Sequence, residues 1–306
     1  MTSFATVRKN TLSYLPTLAA LLATAALIFR ADEMREAFIS GTRLAVCTVL
    51  PSVFPFMILS DMLLSSGMSL DGAVGRRLRR LLRMNGESLS VLTLGLICGF
   101  PICARTASAA YADGRMDKSG CELICATASN PSAVFTISTV GALFGDMRIG
   151  ALSYVCVALS SIFTIAFHRP REENTLISRY NSRQKFNFVS STKSAGLSSI
   201  TVSSFIIVFS VILSLLKPLT KNATVTALVS CPLEIGNAVF ALTSVPLEPH
   251  VRLCLLGFSL GFSGLSALMQ IFSFLPPEIS RLRIVTLKLE QGFLCALLAL
   301  FCSFLL

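Results

Sequence analysis

The chain has 306 residues, 53% hydrophobic and 14% charged, with a formal net charge of +10 and a mean hydropathy of +0.73. That apolarity excludes an ordinary soluble domain of this length, and the regular blocking of the apolar runs excludes disorder. The basic residues cluster in short loops between those runs, as positive-inside topology signals do, so no nucleic-acid partner is expected.

The first apolar run, Leu12 to Phe29, follows Arg8-Lys9 and reads as a retained helix, because it is long and lacks a small-residue cleavage site. After the nearly neutral stretch Ala31 to Glu36, assigned to the outer face, comes a second span, Phe38 to Ser66. The following loop carries Arg76, Arg77, Arg79, Arg80 and Arg83 and is assigned to the cytoplasm. Leu70, Val74, Leu78, Leu81 and Leu82 fall at helical spacing among these arginines, so Leu70 to Leu82 is predicted to be an interfacial amphipathic helix.

Leu89 to Ala112 reads as a crossing, Cys121 to Gly145 as an apolar stretch interrupted at Asn130-Pro131, and Ile149 to Phe167 as another crossing. A second basic loop follows, with Arg169, Arg171, Arg179, Arg183, Lys185 and Lys193. If both basic loops are cytoplasmic, the chain crosses an even number of times between them. Cys121 to Gly145 is then predicted to be a re-entrant hairpin with its tip at Asn130-Pro131, which places Asp113 and Asp146 on the outer face.

Beyond the second loop come Ala195 to Leu216, the interrupted stretch Ala223 to Val245 with Cys231-Pro232-Leu233-Glu234 at its break, Val251 to Leu275, and Ile284 to Leu306. The stretch Ala223 to Val245 is read as re-entrant from the outer face. The predicted fold is an all-α polytopic membrane protein of about seven transmembrane helices plus two re-entrant or broken hairpins. It divides into an N-terminal helix and outer loop (1–36), a first gate-like half (37–167), a basic cytoplasmic loop (168–194) and a second gate-like half (195–306). Two echoes suggest an inverted-repeat transporter: "GLICGFP" (95–101) with "GFSLGFSG" (257–264), and "SAVFTISTV" (132–140) with "NAVFALTSV" (237–245).

Candidate chemistry concentrates at the interruptions. Asn is a strong helix N-cap and Pro favours the first helical turn, so Asn130-Pro131-Ser132 reads as a half-helix start with its N–H groups facing a solute. Pro101, Pro131 and Gly261 are the predicted helix breaks, where secondary transporters bind substrate near the midplane. Arg105, one turn beyond Pro101, is the candidate for holding an anion, since an intramembrane arginine needs a partner or ligand. The other substrate-binding candidates are Asn130, Ser132, Glu234, Asn237, Ser263, Gly264 and Gln270, and the coupling-ion candidates are Asp61 and Glu234. Lys288 and Glu290, near the start of the last span, read as interfacial anchors or as partners of each other.

The ten cysteines lie mostly inside apolar runs and never as CxxC, and His168 and His250 sit at segment edges. No metal site, cofactor or catalytic set is expected, and an enzyme is disfavoured. The expected partners are a small solute and the bilayer, with a homo-oligomer left open. A scaffold whose basic loops dock a partner or anionic lipid is the alternative class.

The runs "LPSVFPFMILSDML", "GLICGFPICARTASAAYADGRM", "SNPSAVFTISTVGALFG", "PLEIGNAVF" and "GFSLGFSGLSALMQIFSFL", from about Gly41 onward, resemble the YlbJ-like family of sporulation integral membrane proteins. That family is related through a nucleoside-recognition or gate domain to concentrative nucleoside transporters. Arg105 stands where other members carry a lysine, Phe100 replaces a tyrosine, and of the family's "NN-G-P" only Asn130 matches. The resemblance implies a transporter-like protein in the inner membrane of an endospore-forming bacterium, around the forespore, associated with movement of dipicolinic acid. Nucleosides are the alternative solute.

Overall fold

A computed structural model describes residues 20–21, 23–65, 72–168, 186–220 and 222–305. Arg8, Lys9, Leu70 and the arginines of the second basic loop, with Lys185, lie outside these residues. Among the described residues the chain is helical throughout, with no strand.

Among the described residues four helices are long and apolar enough to cross a membrane: Met147–His168, Phe188–Leu219, Pro249–Phe272 and Arg281–Cys302. A fifth crossing is present if Ala31–Val49 and Val53–Met62, bent by 44°, form one span. The rest of the described apolar sequence from Gly86 onward is divided among helices of only 10 to 13 residues, such as Gly86–Cys98 and Ile235–Ser244, and residues 12–19 and 22 of the predicted run Leu12 to Phe29 lie outside the described residues. At 1.5 Å per residue each reaches roughly 20 Å or less, short of a hydrocarbon core of about 30 Å.

These short helices come in two kinds of pair. Gly86–Cys98 and Ile102–Ala112 pack along each other as a hairpin. Its open end is closed by a Glu87–Arg115 ion pair and by Asn85 Nδ2 donating to the Arg115 carbonyl at 3.5 Å. Ala223–Leu233 and Ile235–Ser244 form a second hairpin, turning on the single residue Glu234. In contrast, Lys118–Thr127 and Phe135–Phe144 have no comparable mutual packing, and neither do Pro249–Phe262 and Gly264–Phe272. These are two extended, interrupted helices.

The reversal expected at Asn130-Pro131 therefore lies at Gly99-Phe100-Pro101. Gly99 adopts φ +76°, a conformation that needs no Cβ, and turns the chain back on itself. Residues 128–132 instead leave one half-helix and enter the next without folding back. Between Leu82 and His168 the chain thus holds one hairpin, one interrupted helix and one long helix. Asp113 and Asp146 do not share an end of the molecule. Asp113 pairs with Arg115 near Glu87, close to the cluster that joins Leu82, Met84, Met116, Leu275 and Ile284. Asp146 lies just beyond Phe144, which packs, as Leu247 and Cys302 do, against a different cluster that contains Val245.

The amphipathic helix forms over Ala73–Leu82, with Leu82 buried and Leu78 against the core, while Leu81 is exposed. The sequence echoes pair unlike parts: "GLICGFP" is a hairpin tip, whereas "GFSLGFSG" is the interruption of an extended helix.

Candidate functional site at the paired helix interruptions

Each hairpin tip presses on an interrupted helix. At the first contact, Phe100 N–H donates to the Asn130 carbonyl at 2.8 Å. A Cβ on Gly99 would lie 2.5 Å from that oxygen and 2.6 Å from Ser132 N, so only glycine permits this approach. At the second contact Ser263 and Gly264 have φ of 69° and 78°, and a Cβ on Gly264 would meet the Leu233 carbonyl at 3.1 Å. Ser259 Oγ donates to the Cys231 carbonyl at 3.3 Å beside it.

Between the two contacts lies a cavity of about 40 Å³. Phe100, Pro131 and Ser132 line it from the first half, Glu234, Ser266 and Gln270 from the second, and Val53, Val202 and Ile206 wall it from the long helices. Ser132, not Asn130, caps the helix that follows: its Oγ accepts from Phe135 N–H at 3.1 Å. Gln270 Nε2 donates to Ser266 Oγ at 3.4 Å, and its Oε1 is buried without a partner.

Glu234 is buried and caps its own helix. Oε1 accepts from Gly236 N–H at 3.0 Å, and Oε2 accepts from Asn237 N–H and Asn237 Nδ2, each at 2.7 Å. Among the described residues no cation pairs with this carboxylate. Asn237 Nδ2 also donates to Ser210 Oγ at 3.2 Å. Ser210 and Asn237 line a second cavity of about 310 Å³ with Glu36, Ser40, Lys217 and Thr226. The Glu234–Asn237–Ser210 chain thus partitions the two cavities.

Behind the interruptions sits a buried polar cluster. Lys288 is fully buried, and Nζ donates to Asn130 Oδ1 at 2.7 Å, Ser263 Oγ at 3.1 Å and the Gly261 carbonyl at 3.3 Å. Gln291 Nε2 donates to Asn130 Oδ1 and Ser161 Oγ, each at 2.9 Å, and to the Thr127 carbonyl at 3.2 Å. Asn130 Nδ2 in turn donates to the Thr127 carbonyl and Ser161 Oγ. Glycines set the geometry: a Cβ on Gly261 would be 2.7 Å from the Cys295 side chain, and one on Gly292 would be 2.9 Å from the Phe262 side chain.

The predicted residues therefore separate. Ser132, Glu234 and Gln270 reach the cavity, Asn237 stands on the partition, and Asn130 and Ser263 bind Lys288. Pro101, Pro131, Gly261 and Gly264 lie at or beside the breaks. Arg105 lies away from the cavity lining, forming an ion pair with Asp61, and Nη1 donates to Ser194 Oγ at 2.7 Å. That pairing also engages Asp61, the expected ion-coupling acid. Lys288 and Glu290 are not paired, since Glu290 binds His168. Lys288, Gln291 and Ser161 were not among the sequence candidates. The available signal was the helical stripe of Ile284, Leu287, Lys288, Gln291, Cys295 and Ala299, which is the buried face of the last helix.

No family model, curated protein or solved structure matches the chain.

Proposed function

We propose that this chain is a membrane carrier for a small, neutral, hydrogen-bonding solute of nucleoside type, bound between the two hairpin tips. The supporting observation is the small cavity where both tips meet both interrupted helices, bearing the carboxylate of Glu234, the free acceptor of Gln270 and the hydroxyl of Ser266 beside Phe100. Discontinuous helices at a shared midplane are the usual substrate site of secondary transporters. An uncompensated carboxylate accepts hydrogen bonds from solute hydroxyl or amide groups and repels an anion. The Arg105 guanidinium, which an anionic solute would need, already has its counter-charge in Asp61.

In this reading residues 12–29, 31–65, 118–144, 147–168, 188–216, 249–272 and 281–302 supply about seven crossings, and the two hairpins enter from opposite faces. Each half then runs hairpin, interrupted helix, long helix, as an inverted repeat. Dipicolinate, implied by the resemblance to sporulation membrane proteins, is the competing solute, and a scaffold is the competing class.

The test is uptake into proteoliposomes of labelled uridine and labelled dipicolinate, with Glu234→Gln as the site variant. Saturable uridine uptake that falls about tenfold or more in Glu234→Gln is expected, the loss of a charged hydrogen-bond acceptor. Uptake of dipicolinate alone overturns the solute class. Folded protein that moves neither solute favours the scaffold.

A further inference from the structure

The first observation is the number of hydrogens Lys288 must supply. Asn130 Oδ1 and the Gly261 carbonyl can only accept, and Ser263 Oγ is 3.2 Å from the Leu260 carbonyl, which takes the hydroxyl hydrogen. The ammonium form, with three N–H groups, serves all three contacts at once and leaves the Ser263 hydroxyl hydrogen to the Leu260 carbonyl. Lys288 is buried, and among the described residues it has no carboxylate partner.

The second observation is what surrounds it. Two half-helices end here, Lys118–Thr127 and Pro249–Phe262, and their last turns present the Thr127 and Gly261 carbonyls to the cluster. The C-terminal end of a helix carries partial negative charge, so the two ends jointly stabilise a cation between them. Side-chain oxygens of Asn130 and Ser263 complete the cage, and Gln291 Oε1, buried and without a partner, is a spare oxygen beside it. Oxygens from carbonyls, amides and hydroxyls, converging on helix C-termini, form the environment that broken-helix carriers give to a small hard cation.

We infer that the Lys288 ammonium is a built-in cation, occupying an oxygen cage between the two helix interruptions that a free monovalent ion such as Na⁺ would otherwise fill. The tethered charge fixes Asn130 against Gly261 and Ser263, so the two interrupted helices are held together without bound metal. Wild-type protein then has no specific requirement for Na⁺, and removing the side chain opens the cage to it. This inference makes no assumption about the solute, and a thermal readout separates it from the carrier reading.

The experiment measures unfolding temperature of the detergent-purified full chain in NaCl and in choline chloride at equal ionic strength, for wild type, Lys288→Ala and Lys288→Met. Wild type is expected to show no difference between the two salts. Lys288→Ala empties the cage and is expected to melt lower in choline, recovering by about 2 °C or more in Na⁺ as the ion binds the folded state. Lys288→Met fills the same volume without charge and is expected to melt low in both. A Na⁺-specific rise in wild type overturns the inference, as does an equal response of the alanine and methionine variants. So does a Lys288→Ala protein that folds in neither salt.

Discussion

Two basic side chains in apolar helices, Arg105 and Lys288, both have surroundings that their positions in sequence do not suggest. Arg105 follows a break and sits among small residues, which makes it look open to a ligand, yet it spends its charge on Asp61, 44 positions away in sequence. A pair contributed by separate helices is invisible to spacing along one helix, which is why the sequence could not reveal it. Lys288 looked like an anchor because it lies near the start of a span, but its stripe neighbours Ile284, Gln291 and Cys295 are all buried. The structural role of Arg105 makes a specific expectation. Arg105→Ala and Asp61→Ala each lower the unfolding temperature, the double variant loses little more than either alone, and solute KM is unchanged. A double-mutant cycle by thermal unfolding, with uptake measured alongside, checks this. An Arg105→Ala protein of normal stability and greatly raised KM would restore arginine to the solute site.

At the level of elements, the apolar blocks and most break points were legible: the stops at Gly99, Asn130, Glu234 and Ser263 all interrupt helices as expected. What could not be read was which break folds back. Hairpin and extended interruption contain the same residue types, and the difference lies in a few dihedrals and in which arms find each other. Gly99 with its positive φ and the Glu87–Arg115 pair decide it for the first half. The consequence is measurable by cysteine labelling on a background without native cysteines. Asp113→Cys and Asp146→Cys are expected to react with an impermeant maleimide from opposite faces, Asp113→Cys from the face of the Arg76 to Arg83 loop. Labelling of both from one face would return the hairpin to residues 121–145.

For the whole molecule, the reassignment leaves one hairpin, one interrupted helix and one long helix between the two basic stretches, the arrangement that an even number of crossings would require. The relation between halves was only half legible. Sequence echoes joined a hairpin tip to an extended helix, while among the described residues each half carries one hairpin and one interrupted helix. Local likeness at 95–101 and 257–264 reflects a shared need for close backbone approach: Gly95 sits against Ala128, and Gly257 against Ala299.

The partition of Glu234, Asn237 and Ser210 separates chambers of very unequal size, about 310 Å³ and about 40 Å³. Small-molecule pockets usually hold about 300–1,000 Å³, so the inner chamber is shut down around nothing larger than a few waters. On the carrier reading proposed above, a solute enters only a rarer, expanded form, and its apparent affinity is diluted by the scarcity of that form. Stability and affinity should then move in opposite directions when tip packing is loosened. Ser259→Ala, which removes the hydroxyl donating to the Cys231 carbonyl beneath the second tip, is expected to lower the melting temperature yet tighten solute binding severalfold. Calorimetric titration of wild type and variant tests that trade. Equal affinities would mean that the chamber opens without moving the second hairpin; a tighter variant would mark a carrier that holds its solute least well where it is itself most stable.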